Sequence, residues 1–114
     1  MRLVRRKPGK MGVREPSQVR SASHLAWVRK FTCAIFGRHE CQGRVEAHHV
    51  HENADGGIGM KPGDDNAIPL CSGGHRELHD IGEPRFSAKY GVDLTAIAGK
   101  LWRTSPHRKK DEAQ

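Results

Sequence analysis

Four histidines gather the residue types best suited to chemistry in this chain. His48 and His49 stand in tandem, and His75 and His79 stand four apart. On a helix, residues four apart share one face, about one turn from each other. His75 and His79 can therefore present two imidazoles to a single metal ion. Such a pair in a polar helix is more often incidental than ligating, so a third donor has to come from elsewhere. His48 or His49 can supply it. Neighbouring side chains on a strand leave on opposite sides. If His48 turns toward the helix and the ion, His49 turns away and is free to act as a base. An imidazole titrating near about 6.5 is well matched to taking a proton from water near neutral pH. The chain has eight histidines in 114 residues, and these four fall where one strand–loop–helix unit could collect them.

Cys33, Cys41 and Cys71, with His39 between the first two, form a second group. Three thiolates and an imidazole make a satisfactory structural zinc site. It would tie an N-terminal knuckle to the turn before the histidine helix. The spacing departs from paired C-x2-C knuckles, since Phe36 and Gly74 stand where second cysteines would be. His51 rivals His39 as the fourth ligand. The bland alternative is three ordinary thiols.

The elements that must position these groups are short. Residues 24–31 suit a helix with Ser23 as N-cap, placing Leu25 and Val28, with Trp27 and Phe31, toward the body. Residues 33–37 suit an extended stretch turning at Gly37, and 44–51 a strand leading into the tandem histidines. A polar loop with Gly56, Gly57, Gly59, Pro62 and Gly63 follows. Residues 67–71 are apolar but short and interrupted by Pro69, which argues against a central strand. Ser72, or the free backbone amides beside it, would start the helix carrying His75 and His79, ended by Gly82 and Pro84. A short helix is expected over 85–90, stopped by Gly91. Asp93 then caps a last helix whose Leu94, Ile97, Ala98, Leu101 and Trp102 form an amphipathic stripe, a packing face with no chemistry of its own.

Composition bounds the setting. Only 35% of residues are hydrophobic and 13 are glycine, so the core is thin and a metal staple would offset that. The net charge of +7 lies almost wholly in residues 1–24, while residues 25–104 balance to zero. A basic arm of this kind suits a polyanion such as nucleic acid, or serves as a solvated tail. No apolar h-region follows the basic start and no run approaches a membrane span. The expectation is an intracellular, cytoplasmic protein with reduced thiols, where clustered Cys and His hold metal more often than they form disulfides. We divide the chain into a disordered basic arm (1–23), one folded domain (24–104) and a polar tail (105–114).

The stretch Glu46-Ala47-His48-His49-Val50, then Asn66-Ala67-Ile68-Pro69-Leu70-Cys71, then His75-Arg76-Glu77-Leu78-His79 resembles the HNH endonuclease motif in order and spacing. With Gly57-Ile58-Gly59-Met60-Lys61-Pro62 it is similar to small HNH proteins carried by bacteriophages and prophages, over about residues 24–102. The resemblance implies an α+β fold: a small ββα-metal (His-Me finger) core with flanking short helices and a disordered basic N-terminal arm. It implies a metal-dependent endonuclease hydrolysing phosphodiester bonds in DNA. His49 would be the general base, Asn66 the residue pinning the loop and keeping the base oriented, and His48, His75 and His79 the ligands of one divalent ion (Mg, Mn, Ni or Zn). The implied partner is DNA, met by Arg5, Arg6, Lys7 and Lys10 of the arm and by Lys61, Arg76 and Arg85. Such contacts with phosphates make binding strongly salt-dependent. No membrane is expected, and a homodimer or a phage or recombination partner is compatible. The competing reading is a zinc-stabilised, non-catalytic nucleic-acid-binding module. A third is a phage accessory protein working through protein contacts at residues 85–102.

Overall fold

The computed structural model describes residues 19–51 and 62–108. The expected contacts Arg5, Arg6, Lys7, Lys10 and Lys61, and the loop glycines Gly56, Gly57 and Gly59, lie outside the described residues. The chain folds as a small α+β unit of one two-stranded sheet and four helices, in the order α1 (Ala22–Val28), β1 (Val45–His49), β2 (Ala67–Cys71), α2 (Ser72–Ile81), α3 (Glu83–Tyr90) and α4 (Leu94–Thr104). Among the described residues, no helix is long and apolar enough to cross a membrane.

Folded structure begins before residue 24 and continues past 104, so both boundaries of the expected domain move outward. Ser21, two residues before the expected Ser23, is the N-cap of α1, its hydroxyl accepting the amide of His24. His24 and Val28, one turn apart, are the buried face of α1. Leu25 and Trp27 are half-buried and Phe31 is exposed. At the other end, Ser105 is buried, and its Oγ lies 2.8 Å from His24 Nδ1. The edge of the His24 ring also packs on Trp102, so α1 and the end of α4 are joined through one buried histidine.

β1 and β2 pair antiparallel, with His48 opposite Ile68 and His49 opposite Ala67. Among the described residues the sheet has two strands and hence no central one, and Pro69 sits within β2, opposite Ala47. Its carbonyl accepts the amide of Ala34 and so points away from β1. A residue's N–H and C=O leave an antiparallel strand on the same side, so the donor that proline lacks would also have pointed away, and the ladder loses nothing. All five residues of β2 are buried, because α1, α2 and α4 pack against it. This explains its unbroken apolar run.

Residues 33–39 do not form the expected extended stretch. They fold as tight turns, with Phe36 N bonded to Cys33 O and Arg38 N to Ile35 O, and a bridge pairs Phe36 with His39. Ile35 enters the core with Val50, Ile68, Leu70, Leu78, Phe86, Leu94 and Ala98. α3 starts at Glu83, two residues earlier than expected, because Pro84 is accommodated in its first turn. Gly91, in the left-handed region, ends it, and Asp93 caps α4 as expected. The α4 stripe packs with Leu94 and Ala98 buried and Ile97, Leu101 and Trp102 half-buried.

Phe86 is fully buried at the centre of this core. Phe86→Ala is expected to lower the unfolding free energy by about 3–5 kcal/mol, read from urea denaturation. A loss below about 1 kcal/mol would contradict the packing described.

Candidate metal centre and flanking thiol cluster

β1 ends in the tandem histidines, and the pleat separates them. His48 is 2% exposed and turns toward α2, while His49 is 24% exposed and turns the other way. α2 brings His75 and His79 onto one face. His48 Nδ1 lies 3.2 Å from His75 Nε2, and His79 Nε2 lies 3.1 Å from the same atom. The three residues each offer a nitrogen, all within 4.8 Å of one another. The remaining nitrogens of two of them are held by carboxylates. His48 Nε2 meets Glu83 Oε2 at 2.8 Å, and His75 Nδ1 meets Glu46 Oε1 at 2.7 Å.

Those carboxylates assign the tautomers. An ionised carboxylate only accepts, so His48 carries its hydrogen on Nε2 and His75 on Nδ1. The facing nitrogens, His48 Nδ1 and His75 Nε2, are then both bare lone pairs. Two lone pairs 3.2 Å apart repel unless a cation sits between them. Zinc bound at about 2.0–2.1 Å by tetrahedral imidazoles sets neighbouring nitrogens roughly 3.3 Å apart, so the spacing fits one ion. Burial holds the His48 imidazole below its ordinary range, outweighing its bond to Glu83, and His75 and His79 push the same way. The Glu46 carboxyl is held below its usual range by its hydrogen bonds from His75 and from the Ser72 hydroxyl.

Carboxylates behind metal-binding imidazoles orient them and raise their basicity. Glu83 also accepts the amide of His51 and stands in the first turn of α3, where the helix dipole favours negative charge. Glu83→Gln is expected to weaken divalent-ion affinity at the three histidines about 10–100-fold, measured by titration calorimetry. An unchanged affinity would remove this role. Beside the histidines a cleft of about 370 Å³ opens, lined by His48, His51, His79 and the α2–α3 corner at Gly82, Glu83 and Pro84.

His49 faces a different partner. Its Nε2 lies 2.8 Å from Asp64 Oδ1, and Asp64 is buried. The carbonyl of Asn66 accepts the amide of Val50, and its own amide donates to the carbonyl of Gly63. Arg76 and Arg85 are exposed on α2 and α3.

The three cysteines also converge, with Sγ atoms within 4.8 Å of one another. His39 Nε2 lies 3.3 Å from Cys71 Sγ, beside a converging group that, among the described residues, consists of the three cysteines. His51 stands instead beside Glu83 and His48, which removes it as the fourth member. The cluster sits on the start of α2. Cys71, not Ser72, is the N-cap, its sulfur accepting the amide of Gly74, while the amides of Ser72 and Gly73 find the carbonyls of Arg44 and Gln42. A side chain at Gly74 would meet Ile35 at 3.3 Å and Cys71 Sγ at 3.4 Å, so Ile35 would have to give by a few tenths of an ångström to admit one. At Gly43 a side chain would lie 2.7 Å from Ser72, and φ is +78°.

The thiols divide their protons unequally. Burial, hydrogen bonds with Cys71 and Cys33 and the charge of both push Cys41 up to about 12. Burial opposes ionisation of Cys71 too, but hydrogen bonds with His39, the amides of Gly74 and Gln42, and Cys41 bring it down to about 6. Cys71 is thus prepared as a thiolate, and a bound cation would relieve the repulsion that resists ionisation of Cys41.

Glu46, Glu83 and Asp64 were not singled out from sequence. Glu46 had a signal, standing two residues before His48 and hence on the same strand face. Pro84 in a first helical turn signals a helix start that would have placed Glu83 at a terminus. Asp64 carries no local signal, because its partner is fifteen residues away.

Among known proteins, the chain is 34% identical over 74 residues, 65% of its length, to the Escherichia coli (strain K12) protein described as "Uncharacterized protein YdfU". It spans about a fifth of that relative, the match covering 20% of it. No solved structure matches. The family model described as "Protein of unknown function (DUF968)" matches residues 3–104. The chain that carries this histidine centre and thiol cluster therefore belongs to the DUF968 family.

Proposed function

We propose that this chain is a small metal-dependent endonuclease of the HNH, ββα-metal type, hydrolysing phosphodiester bonds in DNA. The observation that carries the reading is the pairing on β1 of His48, whose bare Nδ1 faces His75 and His79, with His49, whose Nε2 is held by Asp64. The β1–β2–α2 unit supplies the first and last histidines of the motif, and Asn66 stands immediately before β2, between them.

In this reading His48, His75 and His79 hold one divalent ion, which supplies Lewis-acid stabilisation of charge on the phosphate and the leaving 3′-oxygen. His49 accepts a proton from the attacking water at Nδ1, the nitrogen that Asp64 leaves bare. Glu46 and Glu83 keep His75 and His48 oriented. The cleft beside His48 and His79 gives the backbone a place to lie. The basic arm and exposed Arg76 add phosphate contacts that fix position without reading sequence. Cys33, His39, Cys41 and Cys71 hold a structural zinc that anchors the start of α2.

The thiol cluster would equally suit a zinc-stabilised binding module without activity. That module has no use for a second metal centre opening on a cleft. The discriminating experiment incubates the protein with an end-labelled duplex and a divalent ion and maps the products. The expected products carry 5′-phosphate and 3′-hydroxyl ends that a ligase rejoins. Stable binding of intact duplex under every ion would select the binding module.

A further inference from the structure

Asp64 is a buried carboxylate with both oxygens committed. Oδ1 lies 2.8 Å from His49 Nε2, and Oδ2 accepts the backbone amide of Ser21 at 2.7 Å. Its own amide donates to the carbonyl of Val19 at 2.9 Å. Asp64 is therefore gripped by residues 19–21 on one side while it grips His49 on the other. Two residues on, the Asn66 carbonyl takes the amide of Val50. The loop thus holds the end of β1 at both the His49 side chain and the backbone that follows.

We propose that Asp64 is the positioning residue of the site, setting the tautomer through which His49 acts. The proposal rests on reading His49 as the general base. The carboxylate can only accept, so the neutral ring carries its hydrogen on Nε2 and leaves Nδ1 as the proton-accepting atom. Among the described residues, Nδ1 of His49 has no hydrogen-bond partner, so none of them competes with water for its lone pair. Asp64→Asn keeps the shape and retains an oxygen for the Ser21 amide. It turns an N–H toward His49 Nε2, which then must accept. The ring hydrogen moves to Nδ1 and the base is blocked. In serine-protease triads the same kind of substitution leaves geometry intact yet costs about 10⁴-fold in turnover by imposing the wrong tautomer. Asp64 offers one bond to a partly exposed ring, so a loss of about 10²–10³-fold is expected here.

The test combines two readouts on the full chain. Side-chain ¹⁵N NMR at a pH where the ring is neutral, with the His49 signal identified by its absence in His49→Gln, reports the tautomer. Turnover, KM and metal content are compared for wild type, Asp64→Asn and His49→Ala. The expected result is an Nε2–H ring in wild type and an Nδ1–H ring in Asp64→Asn, with turnover reduced and KM and metal content unchanged. A wild-type ring in the Nδ1–H form overturns the proposal without need of any variant. So does full cleavage by Asp64→Asn when His49→Ala is inactive, which leaves the base in place and removes Asp64 alone. Full cleavage by both variants removes the base, and the role of Asp64 with it.

Discussion

His49→Ala is expected to slow metal-dependent cleavage by about 10²–10⁴-fold, the range a positioned general base contributes. Since His48 and His49 are neighbours on β1, the pleat sends one ring to α2 and leaves the other out of the ligand set. Removing His49 leaves Oδ1 of the buried Asp64 carboxylate without that partner, a cost of about 1–3 kcal/mol in stability. Asp64 keeps its bond to Ser21, and the fold is retained. The three metal-facing nitrogens are untouched. The variant should therefore bind one divalent ion and duplex DNA as wild type does, with the defect confined to the chemical step under single-turnover conditions. An unchanged single-turnover rate, or loss of metal together with activity, would contradict the assignment.

Cys71→Ser is expected to have the largest effect on stability. The hydroxyl can still accept the Gly74 amide, so the cap of α2 is conserved in kind while the soft ligand is lost. Wild-type protein should purify with one tightly held zinc that survives dialysis, and the variant should lose it. Structural zinc contributes roughly 10–16 kcal/mol in small finger peptides, more than a domain of this size has to spare. Even a loss of about 3 kcal/mol would lower Tm by roughly 12–24 °C in a domain of this size. Because Cys71 is the residue from which α2 starts, the displacement should carry into His75 and His79 and weaken the second centre as well. Metal analysis by mass spectrometry and thermal melts with and without chelator measure both effects. A zinc-free wild type with the same Tm as the variant would leave the cysteines as ordinary thiols.

The parts of the site visible in sequence were those set by local periodicity. The four-residue spacing of His75 and His79, the opposite facing of His48 and His49, the stripe of α4 and its Asp93 cap all follow from 3.6-residue and two-residue repeats. The carboxylates that assign the tautomers were not visible in this way. Glu83 reaches His48 across 35 positions and Asp64 reaches His49 across 15, distances no local pattern encodes. Pro69 is accommodated for a related reason. A proline is excluded from a strand only where its missing donor would face a neighbour, and here that side faces Ala34. The start of α1 moved from Ser23 to Ser21 because Asp64, a distant residue, fixes the Ser21 backbone. Charge patterning spoke for the arm alone, while residues 25–104 are neutral overall.

The central claim is that this centre cuts the DNA backbone. The most direct test mixes wild-type protein with supercoiled plasmid and supplies Mg²⁺, Mn²⁺, Ni²⁺ or Zn²⁺ in turn, beside an EDTA control. The account predicts conversion to nicked or linear DNA with at least one ion and none in EDTA. Plasmid that stays supercoiled with every ion, in protein shown to be folded and to hold an ion at His48, His75 and His79, would contradict it.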